Sequence, residues 1–133
     1  MGKYLRSTSL APDFIIASTA ERAATTARLL KESAGIDAAI HSSADLYYRG
    51  EAGAMEEIAK APDHCDRLML VGHEPWVSAL TSRLMSEGDP DVSFPTGAIS
   101  CIELPAESWT KIGYGTGRLL WFVTPRAVKN MSL

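Results

Sequence analysis

Residues 67–76 read Arg-Leu-Met-Leu-Val-Gly-His-Glu-Pro-Trp, and this stretch decides the fold. Arg67 leads into four apolar residues, Leu68-Met69-Leu70-Val71, the run expected of a buried strand. Gly72-His73-Glu74 makes a tight loop. Pro75 suits the first position of a helix, where its missing N–H costs nothing. Trp76, Leu80 and Leu84 then form one stripe at a spacing of four, which predicts a helix running to about Met85.

Working upstream, residues 13–17 (Asp-Phe-Ile-Ile-Ala) form a second short apolar run suited to a buried strand. Ser18 and Glu21, three apart, carry a capping-box signature. Ala23, Ala27, Leu30 and Ala34 define a helix face, and Gly35 stands where a C-terminal stop belongs. Residues 38–40 suit another short strand. Residues 52–61 suit a helix with Met55, Ile58 and Ala59 on one side and Pro62 as its stop. Downstream, Gly88-Asp89-Pro90-Asp91 is a loop. Residues 98–104 and 119–124 are strand-like, and Pro105, Gly113, Gly115 and Gly117 between them are turn formers. The last two strands are expected to be antiparallel neighbours. The order βαβαβαββ predicts a three-layer α/β sandwich with a mainly parallel sheet. Residues 2–6 suit the last turn of a helix and residues 7–12 a connector. The sheet is therefore expected to lack a strand upstream, and residues 1–133 to form a single, N-terminally truncated domain.

The composition sets limits on function. A chain of 133 residues suggests one domain, large enough to bury a core without disulfide or metal. With 46% hydrophobic and 22% charged residues, it matches ordinary globular proteins and argues against wholesale disorder. A net charge of -3 without a Lys/Arg run argues against nucleic acid as a partner. No apolar run reaches 18 residues, so no membrane span is expected. The N-terminus does not read as a signal peptide, which makes the cytoplasm the expected compartment. Cys65 and Cys101 have neither zinc nor redox spacing and are expected as buried thiols. No pair of histidines has metal-ligand spacing, and no Walker loop, Gly-x-Gly-x-x-Gly or Gly-x-Ser-x-Gly occurs. Neither a metal nor a cofactor is expected.

Two loops carry the candidate chemistry, because each follows a predicted strand and opens a helix, where ligands of open α/β sheets gather and free N–H groups suit phosphate. In Ser18-Thr19-Ala20-Glu21-Arg22, Arg22 falls in the first helical turn. Its guanidinium matches a phosphate with two parallel donors; a solvated or surface-paired arginine fits the same position. In the second loop, Gly72 permits close backbone approach, and His73 suits donation to a phosphoryl oxygen or a proton shuttle. A helix-capping histidine fits equally. His41 and His64 are expected at the surface. Glu51, Glu56 and Glu57 read as a solvated helix face, with Glu51 at its start favouring the helix dipole.

Together these segments resemble the histidine phosphatases, nearest the small SixA-type phosphohistidine phosphatases. The stretch from Ser18 to Ala27 resembles the motif Ser-Pro-x-x-Arg-Ala-x-Gln-Thr-Ala, with Thr25 where Gln is common. Leu70-Val71-Gly72-His73-Glu74-Pro75 resembles a later strand ending in Gly-His before x-Pro. Asp45-Leu46-Tyr47-Tyr48, Thr96-Gly97-Ala98-Ile99 and Leu120-Trp121-Phe122-Val123-Thr124-Pro125 resemble further segments in family order.

The resemblance implies a phosphoglycerate-mutase-like fold and phosphoryl transfer through a histidine. It implies a phosphate or phosphorylated protein or small molecule as partner, and in SixA-type enzymes a phosphohistidine on a protein. It assigns phosphate binding to Arg22, His73 and the turn at Ala98, and catalytic roles to Arg22 and His73, with Glu51 as positional match for a proton donor. Glu74 would weaken anion binding if it pointed inward. The family's nucleophile lies in an Arg-His-Gly motif on the first strand, and no Arg-His-Gly occurs here. Two readings account for this: a longer parent enzyme, which the mid-domain character of residues 7–12 favours, or a non-catalytic module that binds phosphorylated ligands.

Overall fold

A computed structural model of the chain describes residues 1–86 and 92–133; the loop expected at Gly88–Asp91 lies outside the described residues. The described residues form helices α1 (Gly2–Ser7), α2 (Glu21–Ala34), α3 (Ala44–Tyr48), α4 (Gly50–Ala59), α5 (Trp76–Met85) and α6 (Pro125–Lys129), and strands β1 (Phe14–Ser18), β2 (Ile40–Ser43), β3 (Leu68–Val71), β4 (Ile99–Glu103) and β5 (Arg118–Val123). A 3-10 turn spans Trp109–Lys111.

The layers follow from the strand period of two. Ile15 and Ala17 of β1 pack into one core with Leu5 of α1 and Ala27, Leu30 and Ala34 of α2. Ile16, pointing the other way, packs with Leu46 of α3, Ala54 and Ile58 of α4, and Trp76, Leu80 and Leu84 of α5. Helices therefore cover both faces, as the sequence predicted. The stripe Trp76, Leu80, Leu84 is buried throughout, worth roughly 1.5–3 kcal/mol per side chain. All four expected α2 positions are buried, and Gly35 ends the helix at φ 67°, a left-handed conformation that glycine adopts without a Cβ penalty.

Several expectations need correction. Ser18 does not cap α2: it ends β1, its Oγ accepts from the Ala20 amide at 3.2 Å, and the N-cap position falls on Ala20. Strand β2 begins at Ile40 rather than ending there, and helix α3, unanticipated, follows it at once. Pro75 is the N-cap of α5, with a cis bond to Glu74. In α4 the fully buried face is Gly53, Ala54 and Ile58, with Met55 and Ala59 only half-buried.

The largest difference concerns the sheet. Strands β2-β1-β3 form a three-stranded parallel sheet, and β4-β5 a separate antiparallel pair. Strand β3, with the most apolar sequence of the five, sits at an edge with all four residues half-exposed.

Asp13 ties the entry points of β1 and β3 together. Its carboxylate accepts the amides of Asp66 at 3.0 Å and Arg67 at 3.3 Å. Burial opposes its charge, but these bonds and one from the Cys65 thiol outweigh it and hold the carboxyl below its ordinary value of 3.8. A lowered folded-state pKa gives stability that is present above the ordinary value and lost as pH falls through the folded one. Asp13→Ala is expected to lower unfolding free energy by about 1 kcal/mol at pH 7, a modest figure because water competes at this exposed position. Urea titrations should show the gap between variant and wild type closing below about pH 3.8. A gap independent of pH would assign the effect to packing.

Candidate active site

The site is built where parallel strands end together. Ala17 of β1 is in register with Val71 of β3, and Ser18 with Ser43 of β2. Adjacent strands lie about 4.8 Å apart, so the loops after β1 and β3 leave the same sheet edge side by side. Each is short because a helix follows at once: α2 opens at Glu21 and α5 at Trp76. Arg22 and His73 both line one cleft of about 1670 Å³, which Ala98 also borders.

Arg22 is exposed and makes no hydrogen bond or ion pair among the described residues. Five other arginines are engaged. Arg6 donates to the last carbonyls of α2, and Arg28, Arg49, Arg83 and Arg118 pair with Glu32, Glu56, Glu51 and Glu103. The guanidinium groups of Arg22, Arg67 and Arg126 make no hydrogen bond or ion pair among the described residues.

His73 is half-buried between aromatic rings. Tyr47 of α3 meets it edge-on at 5.8 Å and Trp76 at 6.1 Å, while Tyr48 packs on Tyr47 at 4.8 Å. Its Nδ1 lies 3.4 Å from the Glu74 carbonyl, and its Nε2 is buried with no hydrogen-bond partner among the described residues. An unpaired buried polar atom costs about 1–3 kcal/mol, and Nε1 of Trp76 and of Trp121 are in the same condition among the described residues. Gly72 is required here for space: a Cβ would fall 1.8 Å from Cζ2 of Trp76.

Glu74 is turned to structural use. Its carboxylate accepts the Ser78 amide at 2.9 Å and the Ser78 hydroxyl, capping the first turn of α5. Ser78 Oγ in turn accepts the Phe94 amide at 3.1 Å. The carboxylate is thereby bound to donors beside the cleft it borders.

Glu51 and Ala98 stand differently from Arg22 and His73. Glu51 is not among the residues lining the shared cleft. It pairs with Arg83 at 3.2 Å and accepts the Tyr114 hydroxyl at 2.8 Å. Burial, then the neighbouring Glu51, pushes the Tyr114 phenol up. Together with the amides of Gly115 and Gly117, which donate to Arg83 and Leu84, this cluster fastens the 113–117 loop to the end of α5. Ala98 borders the cleft, but its amide donates to the Pro95 carbonyl at 3.0 Å, leaving that N–H engaged in a turn. His41 stacks on Phe14 at 4.4 Å and is exposed, as is His64.

The aromatic setting of His73 was not legible in the sequence as a site. Tyr47 arrives through α3, which the apolar pattern did not announce, and Trp76 read only as a core position. Both cysteines are free. Burial, followed by the hydrogen bond to Asp13, pushes the Cys65 thiol up to about 12, so it is inert as a nucleophile. No cluster of three metal-ligating side chains occurs among the described residues, and no helix among them is long and apolar enough to cross a membrane.

Comparison with solved structures places the architecture. It matches the protein assigned as phosphohistidine phosphatase SixA from Nakamurella multipartitia with a TM-score of 0.76 at 23% identity, over 93% of this chain and 77% of that one. It matches the protein histidine phosphatase SixA complexed with tungstate with a TM-score of 0.72 at 17% identity, over 96% and 78%. The fold is therefore that of the SixA histidine phosphatases, a phosphoglycerate-mutase-like α/β fold. A scan against models of known families finds no match. By sequence, the chain belongs to the family of the Mycobacterium tuberculosis uncharacterized proteins Rv1276c and MT1313. It is 33% identical to each over 133 residues, covering 94% of this chain and 81% of theirs. The Mycobacterium leprae uncharacterized protein ML1117 is 27% identical over 132 residues.

Proposed function

We propose that this chain carries the phosphoryl-binding half of a SixA-type phosphohistidine phosphatase, whose nucleophilic histidine resides on a segment outside these 133 residues. The observation that carries the reading is that Arg22 and His73 stand at neighbouring strand ends beside one cleft, the Arg22 guanidinium and the His73 Nε2 both without a partner among the described residues. Arg22 grips two phosphoryl oxygens through parallel N–H donors, and His73 donates to a third as charge builds on it. In the complete enzyme the P–N bond to the substrate imidazole breaks as a P–N bond to the nucleophilic histidine forms, and water then releases phosphate. The substrate is a phosphohistidine on a partner protein, met in the reducing cytoplasm, where Cys65 and Cys101 remain thiols.

Without the nucleophile, the 133-residue chain binds the oxyanion and turns nothing over, which is also the behaviour of a non-catalytic phosphate-binding module. Tungstate or phosphate binding, followed by calorimetry, is expected to be saturable. Arg22→Ala should weaken it ten- to a hundredfold, the worth of about 1.5–3 kcal/mol in charge-assisted hydrogen bonds. Arg22→Lys should recover only part, because an ammonium lacks the fork. Equal affinity in wild type and Arg22→Ala would dismiss Arg22 as a ligand. Acid-labile phosphate trapped on this polypeptide would overturn the claim that its nucleophile lies elsewhere.

A further inference from the structure

The three parallel strands each deliver side chains to the same edge of their sheet. Arg22 follows β1 and His73 follows β3, while β2, on the far side of β1 from β3, runs straight into α3. Helix α3 leans back over β1. Its Leu46 is fully buried and packs with Ile16, and its Tyr47 meets His73. A helix turns roughly 100° per residue, so with Leu46 facing the core the next two side chains face out. Tyr47 is 48% exposed and Tyr48 79%.

Four rings make one continuous series from core to solvent. Trp76 meets His73 at 6.1 Å, His73 meets Tyr47 at 5.8 Å, and Tyr47 meets Tyr48 at 4.8 Å, with interplanar angles of 74°, 67° and 65°. The inner end is fixed, because Trp76 is buried. The outer end stands in water, and neither phenol makes a hydrogen bond among the described residues. The platform beneath is stiff. The Asp45 carbonyl accepts the Arg49 amide at 2.9 Å, Arg49 is held by both carboxylate oxygens of Glu56, and Gly53 of α4 packs directly against the Asp45 carbonyl. Tyrosine has few rotatable bonds, so a ligand laid against this pair has little left to order.

We infer that Tyr47 and Tyr48 form the seat for the substituent on the phosphorus, and that this seat selects a flat aromatic ring, the imidazole of a phosphohistidine, over the alkyl chain of a phosphoserine. The inference rests on the phosphatase reading of Arg22 and His73, which puts the phosphoryl group at His73 and its substituent beside the adjoining rings. Aromatic rings attract one another edge-to-face or offset, beyond what their buried area supplies. That edge-on contact already repeats along the series, and an incoming ring extends it by one more. An alkyl chain gains only area there. Tyr48 therefore governs which substituent is held, and Arg22 and His73 how tightly the anion is held.

Binding of phosphonates to the chain, followed by NMR titration, tests the seat without calling on turnover. The probes are methylphosphonate, cyclohexylphosphonate and pyrazolylphosphonate, the last a non-hydrolysable stand-in for phosphohistidine. Pyrazolylphosphonate is expected to bind about five- to tenfold more tightly than either of the others, the size of one aromatic contact, and to shift the Tyr48 ring protons. Tyr48→Ala should bring it down to the level of methylphosphonate while leaving methylphosphonate affinity within about twofold. The buried anchor Leu46 stays in place in that variant. Tyr48→Phe, which keeps the ring, should keep the preference. Equal binding of all three probes overturns the seat and leaves the phosphoryl site standing. Cyclohexylphosphonate binding as tightly as pyrazolylphosphonate overturns the selection for a flat ring, and a preference that survives Tyr48→Ala removes Tyr48 from it. Binding of none of the probes sinks the phosphatase reading, and the seat with it.

Discussion

His73→Ala is expected to lower phosphohistidine turnover by about two to three orders of magnitude in a polypeptide that carries the nucleophile the proposed function calls for. The loss of a single preorganised donor to a developing oxyanion has that size. The geometry makes His73 the residue to test. Its ring is held edge-on by Tyr47 and Trp76, so the group does not have to be ordered when the substrate arrives, and its Nε2 has no competing partner among the described residues. Arg22 remains to hold the ground state, so kcat should fall far more than KM rises. His73→Gln, which keeps a donor on a similar stem, should recover part of the loss. Turnover of His73→Ala within twofold of wild type removes His73 from the mechanism. A matched loss in KM alone assigns it to binding.

Gly53→Ala is expected to destabilise the fold, opposite in sign to the usual effect in a helix. Alanine in place of glycine within a helix normally gains about 1 kcal/mol. At Gly53, however, an added Cβ falls 2.3 Å from the Asp45 carbonyl oxygen and 2.8 Å from its carbonyl carbon. Those are backbone atoms of α3 and cannot rotate away as a side-chain tip does. Relief requires α3 to move off α4, and α3 carries Leu46, which is fully buried, and Tyr47, which flanks His73. Overpacking of this kind costs about 3 kcal/mol. The net loss of about 2 kcal/mol corresponds to a fall in Tm of about 8 °C for a chain of this size. Thermal unfolding followed by circular dichroism measures it directly. An unchanged or raised Tm would show that α3 relaxes without cost. Because Tyr47 moves with α3, oxyanion affinity should weaken alongside stability.

The strands and helices that announced themselves share a physical cause. Trp76, Leu80 and Leu84, and Ala23, Ala27, Leu30 and Ala34, repeat at the helical period because one face of each helix must leave water; burial follows the pattern residue by residue. The elements that stayed hidden, α3 and α6, are five residues each, too short to show a period. The false capping box had another origin. Ser18 and Glu21 have the right spacing, but the backbone at Ser18 belongs to β1, and parallel register with Ser43 settles it as strand.

For the site, the sequence determined which side chains were chemically able to bind an anion and at which strand ends they sat, because strand-loop-helix junctions are local features. What only the tertiary structure decided was partnership, since charge pairing depends on residues far apart in the chain. Glu51 is drawn to Arg83 and Tyr114, Glu74 is tied to Ser78, and the Ala98 amide is engaged by Pro95, while among the described residues Arg22 has no partner and His73 keeps one nitrogen unpaired.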